Sequence, residues 1–585
     1  MTRLRNTVFF IALALPWLNP FSLGPSAGMV PWLVSVACVG VAVLAAPSGS
    51  LSFRLFGFFA LNAVYFAAHS LWSGAGWEAL AALLAWGCVG LMAWVGAGLA
   101  GVGWGDGIGG GAGADTRSGA GMGMGAVRGL AFMWLVVALV SCELALLQYL
   151  SVEQWFAPWI SASSDGTAYA NLRQRNQFAT LCSMGLVALL YLCQTGLLRG
   201  EVGTGLRQAQ PERINSLGRR LFSQACTWAA AAVLAAGTAL SSSRTGALQW
   251  LLIGAAMLCW RASLRAPVRW LCVGALGLYG LAVLVMPWFA HLVGNPATGL
   301  WGRAQEAGEA GGSRLALYSN VLDLIAQKPW LGWGWRELAY AHYSGVFDVR
   351  FVELLDNAHN LPLHLAVELG LPYAAVFCAA VLWWVLRSAP WAEVQPARQL
   401  AWAVLLLLGV HSMVEYPLWY GPFIITLGLC LGLLQPLKYA SNRPVTQVKP
   451  AQTAIKYVAI GLLCLAAYLG YDYHRASQIY LDKAERSARY PSDALGGTLG
   501  YAQQSWVYQR QAKFAELMVT AVTPQTAAQV LTLALDLVHY SPEPRVIEPL
   551  IEAAVMLHFD DVAAVHLVRY KAMYPQEYAA WSALK

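Results

Sequence analysis

The sequence predicts an all-α, polytopic membrane protein with about thirteen transmembrane helices and a helical C-terminal domain. Hydrophobic residues make up 58% of the 585 positions and charged residues only 11%, which is about half the charged fraction of a soluble domain. Apolar runs of about 20 residues, the length that crosses a bilayer as a helix, recur along residues 1–472. Together, these observations exclude a soluble globular protein.

Thirteen apolar segments are predicted to span the membrane. The first is interrupted by Pro16-Trp-Leu-Asn-Pro20 and lacks a small-residue cleavage site, so we expect a retained span and not a signal peptide. The segments lie near residues 7–23, 28–46, 53–72, 77–101, 127–151, 176–198, 222–240, 245–262, 267–290, 362–387, 399–415, 418–436 and 456–472.

Basic residues are divided unevenly between the two sets of loops. If the N-terminus is cytoplasmic, the cytoplasmic loops hold 19 Lys and Arg residues and the opposite loops hold 8. Cytoplasmic loops are enriched in Lys and Arg, so this asymmetry predicts a cytoplasmic N-terminus and a C-terminus on the opposite side. The basic residues of the opposite loops go against the trend, and we expect most of them to have a role.

Four polar clusters interrupt the apolar sequence, and the predicted topology places all of them on the face opposite the cytoplasm. They are residues 171–177, 241–246, the long loop 291–361 and residues 411–420. Ionisable residues near the membrane tend to be functional. Arg, His, Gln and Tyr side chains gathered at one face predict a site for an anionic, membrane-bound substrate.

Charge and cysteine usage exclude other classes of protein. The cytoplasmic loops account for most of the net charge of +7, so we expect no nucleic-acid partner. All eleven cysteines lie within or at the ends of apolar spans, which argues against a disulfide framework and against a Cys-ligated metal. No His, Asp or Glu spacing is typical of a metal site, so we predict no metal ion.

Residues 473–585 differ from the membrane domain, because charge rises and Ala, Leu and Tyr recur at helical spacing. Examples are Tyr480, Ala484 and Ala488. Tyr490-Pro491, Tyr540-Ser-Pro542 and Tyr574-Pro575 are each predicted to end a helix. The pattern predicts a stack of helical hairpins resembling tetratricopeptide repeats, which can be a plain helical cap or a surface that binds a partner.

Two arginines are candidates for binding an anion. Arg244 lies at the outer end of the eighth span in Ser241-Ser-Ser-Arg-Thr-Gly246, a hydrogen-bonding context that suits a phosphate; the alternative is a side chain that only reaches to the interface. Arg314 opens a predicted amphipathic helix that extends to Gln327, and helix N-termini and guanidinium groups both favour anions. The alternative for Arg314 is a solvated loop residue.

His359, in Asp356-Asn-Ala-His-Asn360, is the best candidate for a general base, because imidazole titrates near neutral pH. Asp356 or Glu368 can orient it. Three other histidines compete for the role, and a hydrogen-bonded interface residue is the alternative for each: His342, His364 and His411.

Amide and aromatic residues complete the predicted site. Gln174 and Asn176 enter the sixth span, where an amide can bind substrate or only cap a helix. Tyr416 and Tyr420 can form a platform for a sugar or part of an interfacial aromatic belt. Further substrate-binding candidates are Asn360 and Arg336.

These motifs together resemble the O-antigen ligase/polymerase superfamily, which contains the WaaL-like and Wzy-like enzymes. Within it, the chain is most similar to the PglL-type bacterial O-oligosaccharyltransferases, which glycosylate pilins and other secreted proteins. The resemblance covers about residues 6–435. The motifs are Pro16-Trp-Leu-Asn-Pro20, Gln174-Arg-Asn176, Ser243-Arg-Thr-Gly246, Arg314 ahead of Pro329-Trp-Leu-Gly-Trp-Gly334, His359-Asn360 with Glu368-Leu-Gly370, and Glu415-Tyr-Pro-Leu-Trp-Tyr420.

The resemblance implies a GT-C-like fold in the bacterial inner membrane, with the active site and the C-terminus in the periplasm. It implies an inverting, metal-independent transfer, without a cofactor, of an oligosaccharide from undecaprenyl diphosphate to Ser or Thr hydroxyls of a pilin or another periplasmic protein. The two family arginines correspond to Arg244 and Arg314 and the family histidine to His359. A glutamine and a tyrosine correspond to Gln174 and to Tyr416 or Tyr420.

Elementary chemistry agrees with this expectation. A lipid diphosphate leaves readily when its growing charge is neutralised, and two arginines can do this without Mg²⁺. Rival functions are O-antigen ligation to lipid A-core and glycan polymerisation, which share the donor and differ in the acceptor. A more distant rival is a lipid or glycan transporter, which predicts broken helices in inverted repeats.

Overall fold

A computed structural model describes residues 2–47, 49–74, 76–101, 120–163, 167–196, 212–295, 311–435, 445–490 and 495–584. Within these ranges the chain is built from α-helices and short 3₁₀ turns and contains no β-strand. The all-α prediction is therefore confirmed.

Sixteen of the described helices make up the membrane domain and its large loop. In chain order they are α1 (Thr2–Leu18), α2 (Met29–Ala45), α3 (Phe53–Ser73), α4 (Gly76–Gly101), α5 (Ala120–Tyr149), α6 (Arg175–Gln194), α7 (Glu212–Leu240), α8 (Arg244–Cys259), α9 (Ala266–Val293), α10 (Gly311–Gln327), α11 (Leu338–Ser344), α12 (Leu361–Leu369), α13 (Leu371–Ser388), α14 (Pro396–Ser412), α15 (Gly421–Leu433) and α16 (Val445–Ser477). The C-terminal domain adds α17 (Leu495–Gln503), α18 (Gln509–Val519), α19 (Ala527–Tyr540), α20 (Pro544–Met556), α21 (Asp560–Met573) and α22 (Pro575–Ser582).

Each predicted span overlaps a helix in the described residues, although α1 ends at Leu18 and the predicted span extends to residue 23. The protein is a polytopic membrane protein. Eight of the described helices are long and apolar enough to cross a bilayer, so the count of thirteen stays a prediction. The predicted span 362–387 is divided into α12 and α13 at Gly370, whose φ is +92°. A β-carbon on Gly370 would lie 2.2 Å from the carbonyl oxygen of Trp330. At the break, the backbone of Gly370 therefore packs directly against the backbone of Trp330.

Contacts made by loops and helix ends define two ends of the helical bundle. At one end, the Asn171 side chain donates to the carbonyl of Leu18 at 2.9 Å, and Asn295 donates to the carbonyl of Tyr149 at 2.6 Å. The four polar clusters belong to loops at this end. At the other end, Arg128 donates to Thr195, Gln194 to Ser263 and Arg398 to Leu434, each to a main-chain carbonyl.

Helices α4 and α15 pack with their backbones in close approach. A β-carbon on Gly432 would lie 2.1 Å from the carbonyl oxygen of Ala93, and one on Gly428 would lie 2.5 Å from that of Val89. Small residues permit such contacts between membrane helices. This contact fixes α15, whose N-terminus carries the residue Tyr420 of the candidate site.

The described part of the large loop folds onto α12. The amide N–H groups of Trp333 and Gly334 donate to the carbonyls of Val367 and Glu368 at 2.8 and 3.0 Å. The helix predicted from Arg314 to Gln327 is confirmed as α10, which begins three residues earlier at Gly311. Residues 296–310 of the loop lie outside the described residues.

Hydrogen bonds between buried polar groups connect the segments in the middle of the large loop. His342 Nε2 lies 3.2 Å from the side-chain oxygen of Asn320, and that oxygen also accepts from the Phe351 amide at 2.9 Å. Arg350 donates to the carbonyls of His342 and Gly345. Burial and the neighbouring Arg350 charge lower the pKa of His342 to about 3, so this imidazole is neutral and structural.

The C-terminal domain consists of helices that pack on their sequence neighbours, with α19 against α20 and α20 against α21. Its core also takes in Tyr343 of α11, whose hydroxyl lies 2.8 Å from His566 Nδ1. Helices end as predicted at Tyr540 and before Tyr574-Pro575. Whether these hairpins form tetratricopeptide repeats stays a prediction.

One helical prediction in this domain is wrong. Tyr480, Ala484 and Ala488 were expected on one helix ending at Tyr490, but residues 481–490 form turns. The buried side chain of Gln478 accepts from the Ser487 amide at 2.8 Å. This side-chain bond satisfies an amide that a helix would otherwise pair with a main-chain carbonyl.

Candidate active site

Glu415 is the centre of a cluster that joins four separate segments of the chain. Its Oε2 accepts from His359 Nδ1 at 3.0 Å, and its Oε1 accepts from Asn176 Nδ2 at 3.1 Å. Arg314 Nη2 lies 3.6 Å from the same Oε1. The side chain is 11% exposed, so this carboxylate is shielded from water while it meets two basic groups and an amide.

The end of α14 positions Glu415. The carbonyl of His411 accepts the Glu415 amide at 2.9 Å, which closes the last turn of the helix. The chain then forms the 3₁₀ turn Pro417–Trp419, and Tyr420 is the N-cap residue of α15. The motif Glu415–Tyr420 is therefore a tight link between two helices whose packing is fixed.

His359 is held in an unusual backbone conformation. Its φ is +49°, a region that non-glycine residues occupy rarely and at a cost of about 1–3 kcal/mol. Its amide donates to the Asn357 side chain at 2.9 Å, and its ring lies edge to face with Tyr416 at 5.1 Å between centroids. This backbone conformation places the imidazole within hydrogen-bonding distance of Glu415.

The tautomer of His359 follows from its partner. A carboxylate only accepts hydrogen bonds, so the contact with Glu415 places a proton on Nδ1 and leaves Nε2 as the nitrogen that can take another. The side chain is 33% exposed. This is the arrangement of a general base oriented by a carboxylate.

The expected orienting residues were wrong. Glu368 is fully buried, and its Oε2 lies 3.3 Å from His364 Nε2 and not beside His359. Asp356 is exposed, and its charge acts on Tyr416 and Tyr420. Sequence proximity suggested both residues, whereas Glu415 is 56 positions away from His359.

Of the two predicted anion-binding arginines, Arg314 belongs to this cluster, and Arg244 follows Ser243, a residue that bonds to Asn176 of the cluster. Arg314 is 47% exposed on the first turn of α10 and pairs with Glu415. Arg244 is exposed at the first residue of α8. The preceding residue, Ser243, caps α8 through a 3.1 Å contact with the Gly246 amide and donates to Asn176 at 2.6 Å.

Two of the three serines before Arg244, Ser241 and Ser243, form hydrogen bonds within the protein and do not line an open phosphate site. The hydroxyls of Ser241 and Ser243 are buried, and Ser241 donates to the carbonyl of Thr238 at 2.6 Å. The exposed Arg244 guanidinium is the part of this motif that a ligand can reach.

The predicted substrate-binding amides have internal partners. Gln174 caps α6 by accepting from the Gln177 amide at 2.7 Å. Asn360 caps α12 by accepting from the Leu363 amide at 3.1 Å and donates to the carbonyl of Met413 at 3.0 Å. Both residues fix helix ends around the site.

Two tyrosines line the cluster. Tyr416 and Tyr420 stack with their centroids 6.1 Å apart. Burial, with the nearby Tyr420, raises the pKa of Tyr416. A phenol titrates near pH 10 in water, so both tyrosines are protonated near neutral pH and can donate hydrogen bonds to ligand oxygens.

The remaining candidates lie outside the cluster. Arg336 is exposed and its charge faces Tyr540 of α19; none of its described contacts is with Glu415 or His359. His342, His364 and His411 are each at most 1% exposed. His411 Nδ1 lies 2.9 Å from the Thr180 hydroxyl. Their partners make them structural residues.

Glu415 lies in one of the motifs that carry the resemblance, but the sequence alone does not indicate its role. The available signal was an acidic residue at the end of an apolar span on the face that holds the other polar clusters. Such a residue needs a cationic or hydrogen-bonding partner, and His359 and Arg314 were already predicted on that face.

Three family models match separate parts of the chain. They are a protein glycosylation ligase model at residues 168–193, an O-antigen ligase model at 229–378, and the C-terminal model of a virulence factor membrane-bound polymerase at 399–585. The first covers Asn176, the second covers Arg244, Arg314 and His359, and the third covers Glu415.

A curated relative extends the comparison. The chain is 26% identical over 346 residues to a general O-oligosaccharyltransferase of Acinetobacter baylyi, an alignment that covers 57% of this chain and 55% of that protein. The chain thus matches about half the length of this relative. These matches confirm the predicted resemblance of this chain to the PglL-type O-oligosaccharyltransferases of the O-antigen ligase superfamily.

Proposed function

We propose that this protein transfers an oligosaccharide from a lipid diphosphate carrier, undecaprenyl diphosphate, to Ser or Thr hydroxyls of pilin-like or other periplasmic proteins. The observation that carries the proposal is the pairing of His359 with Glu415 at 3.0 Å, with Arg314 on the same carboxylate. A base beside anion-binding groups suits a poor nucleophile attacking a substrate with an anionic leaving group.

The proposed reaction is a single displacement. His359 Nε2 accepts the proton of the acceptor hydroxyl as the hydroxyl oxygen bonds to the anomeric carbon of the donor. The bond between that carbon and the diphosphate oxygen breaks, and the configuration at the carbon inverts. Glu415 stabilises the imidazolium that forms, and the proton then passes to solvent.

Arg314 and Arg244 would neutralise the departing diphosphate. Guanidinium groups bind phosphate oxygens in a bidentate manner, and both side chains are exposed enough to reach a ligand. Arg314 would exchange its contact with Glu415 for one with the diphosphate. The protonated phenols of Tyr416 and Tyr420 would donate to sugar or phosphate oxygens.

The proposed location is the bacterial inner membrane, with a cytoplasmic N-terminus and the cluster in the periplasm. The 19-to-8 distribution of basic residues between the two sets of loops supports this orientation. A lipid-linked donor and an exported acceptor protein meet on that face.

The acceptor is decided by direct assay. The full-length protein, in liposomes with an undecaprenyl diphosphate oligosaccharide, would be offered a pilin-like protein, lipid A-core or a second donor molecule. We expect glycan on the protein, read as an intact-mass increase equal to one glycan. The second candidate function, ligation or polymerisation, rests on the O-antigen ligase and polymerase matches; it would give product only with lipid A-core or with a second donor.

A further inference from the structure

Asn176 has both polar groups of its side chain bonded inside the protein. Its Oδ1 accepts from Ser243 Oγ at 2.6 Å, and its Nδ2 donates to Glu415 Oε1 at 3.1 Å. Its main-chain carbonyl accepts from the Thr180 hydroxyl at 2.8 Å. The orientation of this amide is therefore determined, because Ser243 donates to the oxygen and only the nitrogen can face the carboxylate.

The partner of Asn176 is also fixed. Ser243 caps α8 and is 2% exposed, so its hydroxyl sits in a buried helix end. The path from Ser243 through Asn176 and Glu415 to His359 consists of contacts of 2.6, 3.1 and 3.0 Å. It connects the start of α8, which carries Arg244, to the imidazole.

The contact of Arg314 with Glu415 is weaker than the contact of Asn176 with Glu415. Its contact with Oε1 is 3.6 Å long and its side chain is 47% exposed, whereas Asn176 makes a shorter bond from the first turn of α6. When Arg314 turns to the diphosphate, as the proposed function requires, Asn176 is the remaining described donor on Oε1.

We propose that Asn176 is a positioning residue that holds Glu415 in place for His359 while Arg314 binds the donor. This role replaces the substrate-binding role expected from sequence, and it rests on the proposed function. Asn176 acts through Glu415 and contacts neither substrate. Ser243 fixes the orientation of the Asn176 amide and therefore contributes to the positioning of Glu415.

The test compares Asn176→Ala, Asn176→Asp and Ser243→Ala with the wild-type protein, all full length and in liposomes. The assay measures kcat and the KM for an undecaprenyl diphosphate oligosaccharide at saturating acceptor protein. We expect Asn176→Ala to lower kcat by roughly 10- to 100-fold, as loss of a residue that orients a catalytic group does, and to change the donor KM by less than about twofold. Ser243→Ala should have a smaller effect in the same direction.

Asn176→Asp supplies a signature that a purely structural role would not give. The variant keeps the shape of the side chain but faces Glu415 with a second carboxylate, whose negative charge favours the protonated form of the nearby imidazole. Among the described residues, His359 contacts the carboxylate of Glu415 and the ring of Tyr416; Arg314 pairs with Glu415, and the charge of Asp356 acts on Tyr416. We expect the acidic limb of the activity profile to move to higher pH, with activity partly retained above it.

Two results would overturn the proposal. A donor KM raised tenfold with kcat unchanged in Asn176→Ala would show that the amide contacts the donor. An Asn176→Asp profile with an unmoved acidic limb would show that Asn176 does not act through Glu415, and this variant decides the question if Asn176→Ala does not fold. Failure of the proposed function is distinct, because the wild-type protein would then transfer no glycan to protein.

Discussion

At the scale of single residues, the proposed role of His359 as a base depends on the carboxylate of Glu415. It orients His359 and stabilises the imidazolium that forms during transfer, so Glu415→Gln should retain the shape of the site and lose its charge. We expect transfer to fall by about 10²-fold or more, measured as initial rates at saturating donor and acceptor.

Glu393 provides a matched control for this substitution. It also pairs with an arginine, Arg398 at 2.7 Å, and is 12% exposed, but it lies at the other end of the bundle. Glu393→Gln should leave the transfer rate within about twofold of wild type, since it contacts no group of the proposed site. Equal loss in both variants would mean that Glu415 contributes only to folding.

His342 makes a prediction about pH and stability. Its folded-state pKa is about 3 because burial and Arg350 disfavour the charged ring, whereas an unfolded histidine titrates near 6.5. Between these values the unfolded state binds more protons, so stability falls as pH drops below about 6.5. His566, with a pKa lowered to about 4, adds to the same trend.

The measurement is thermal unfolding of the purified protein at pH 7.5 and pH 5. His342→Gln keeps a group that can bond to Asn320 and cannot take up a proton. We expect this variant to lose less of its melting temperature on acidification than the wild type. Identical losses would show that this buried ring does not contribute to the acid sensitivity.

At the scale of helices, the packing of α4 against α15 sets the position of the Glu415–Tyr420 link. Gly432→Ala would place a methyl group 2.1 Å from the Ala93 carbonyl oxygen, so the helices must separate. We expect a lower melting temperature, from a loss of about 1–3 kcal/mol as in overpacked cores, together with reduced transfer.

Gly409→Ala is the control for that change. Gly409 lies in α14, and a β-carbon there meets no atom within 4 Å. Alanine is favoured over glycine in a helix, so this variant should be as stable as wild type or slightly more stable. A Gly432→Ala protein with unchanged stability would mean that α4 and α15 tolerate greater separation.

Hydropathy was enough to locate these helices, because the length and composition of a span are local properties of the sequence. It did not predict the break at Gly370, where two short helices replace one span. That break depends on the approach of the Trp330 carbonyl, a contact between distant segments. The turns at 481–490 were missed for the same reason, since a buried glutamine side chain takes over a main-chain bond.

At the scale of the whole molecule, the two-ended arrangement of loops was predicted by counting charges and spans. The candidate site was predicted in part: His359 and Arg314 were identified, and the structure brings both to Glu415. The partners of Gln174, Asn360 and Asn176 were beyond sequence reasoning, because an amide binds a ligand or caps a helix according to the side chains that surround it. Arg336 was assigned by its loop, and its actual neighbour belongs to the C-terminal domain.

Topology yields a direct prediction. Val346 is 91% exposed in the large loop, and Val394 is 65% exposed between α13 and α14 at the opposite end. Each would be replaced by cysteine, as Val346→Cys and Val394→Cys, in a cysteine-free background. A membrane-impermeant maleimide should label Val346→Cys in cells with a permeabilised outer membrane. It should label Val394→Cys only after the inner membrane is opened, and the reverse pattern would place the cluster in the cytoplasm.

The role of His359 as the base is tested by measuring transfer and donor binding in His359→Ala. We expect transfer to protein to fall by at least about 10²-fold, while affinity for the undecaprenyl diphosphate oligosaccharide and the melting temperature stay near wild type. His291→Ala, at an exposed position near the end of α9, should transfer normally. An active His359→Ala protein, or an inactive one that no longer binds the donor, would contradict the assignment of His359 as the base.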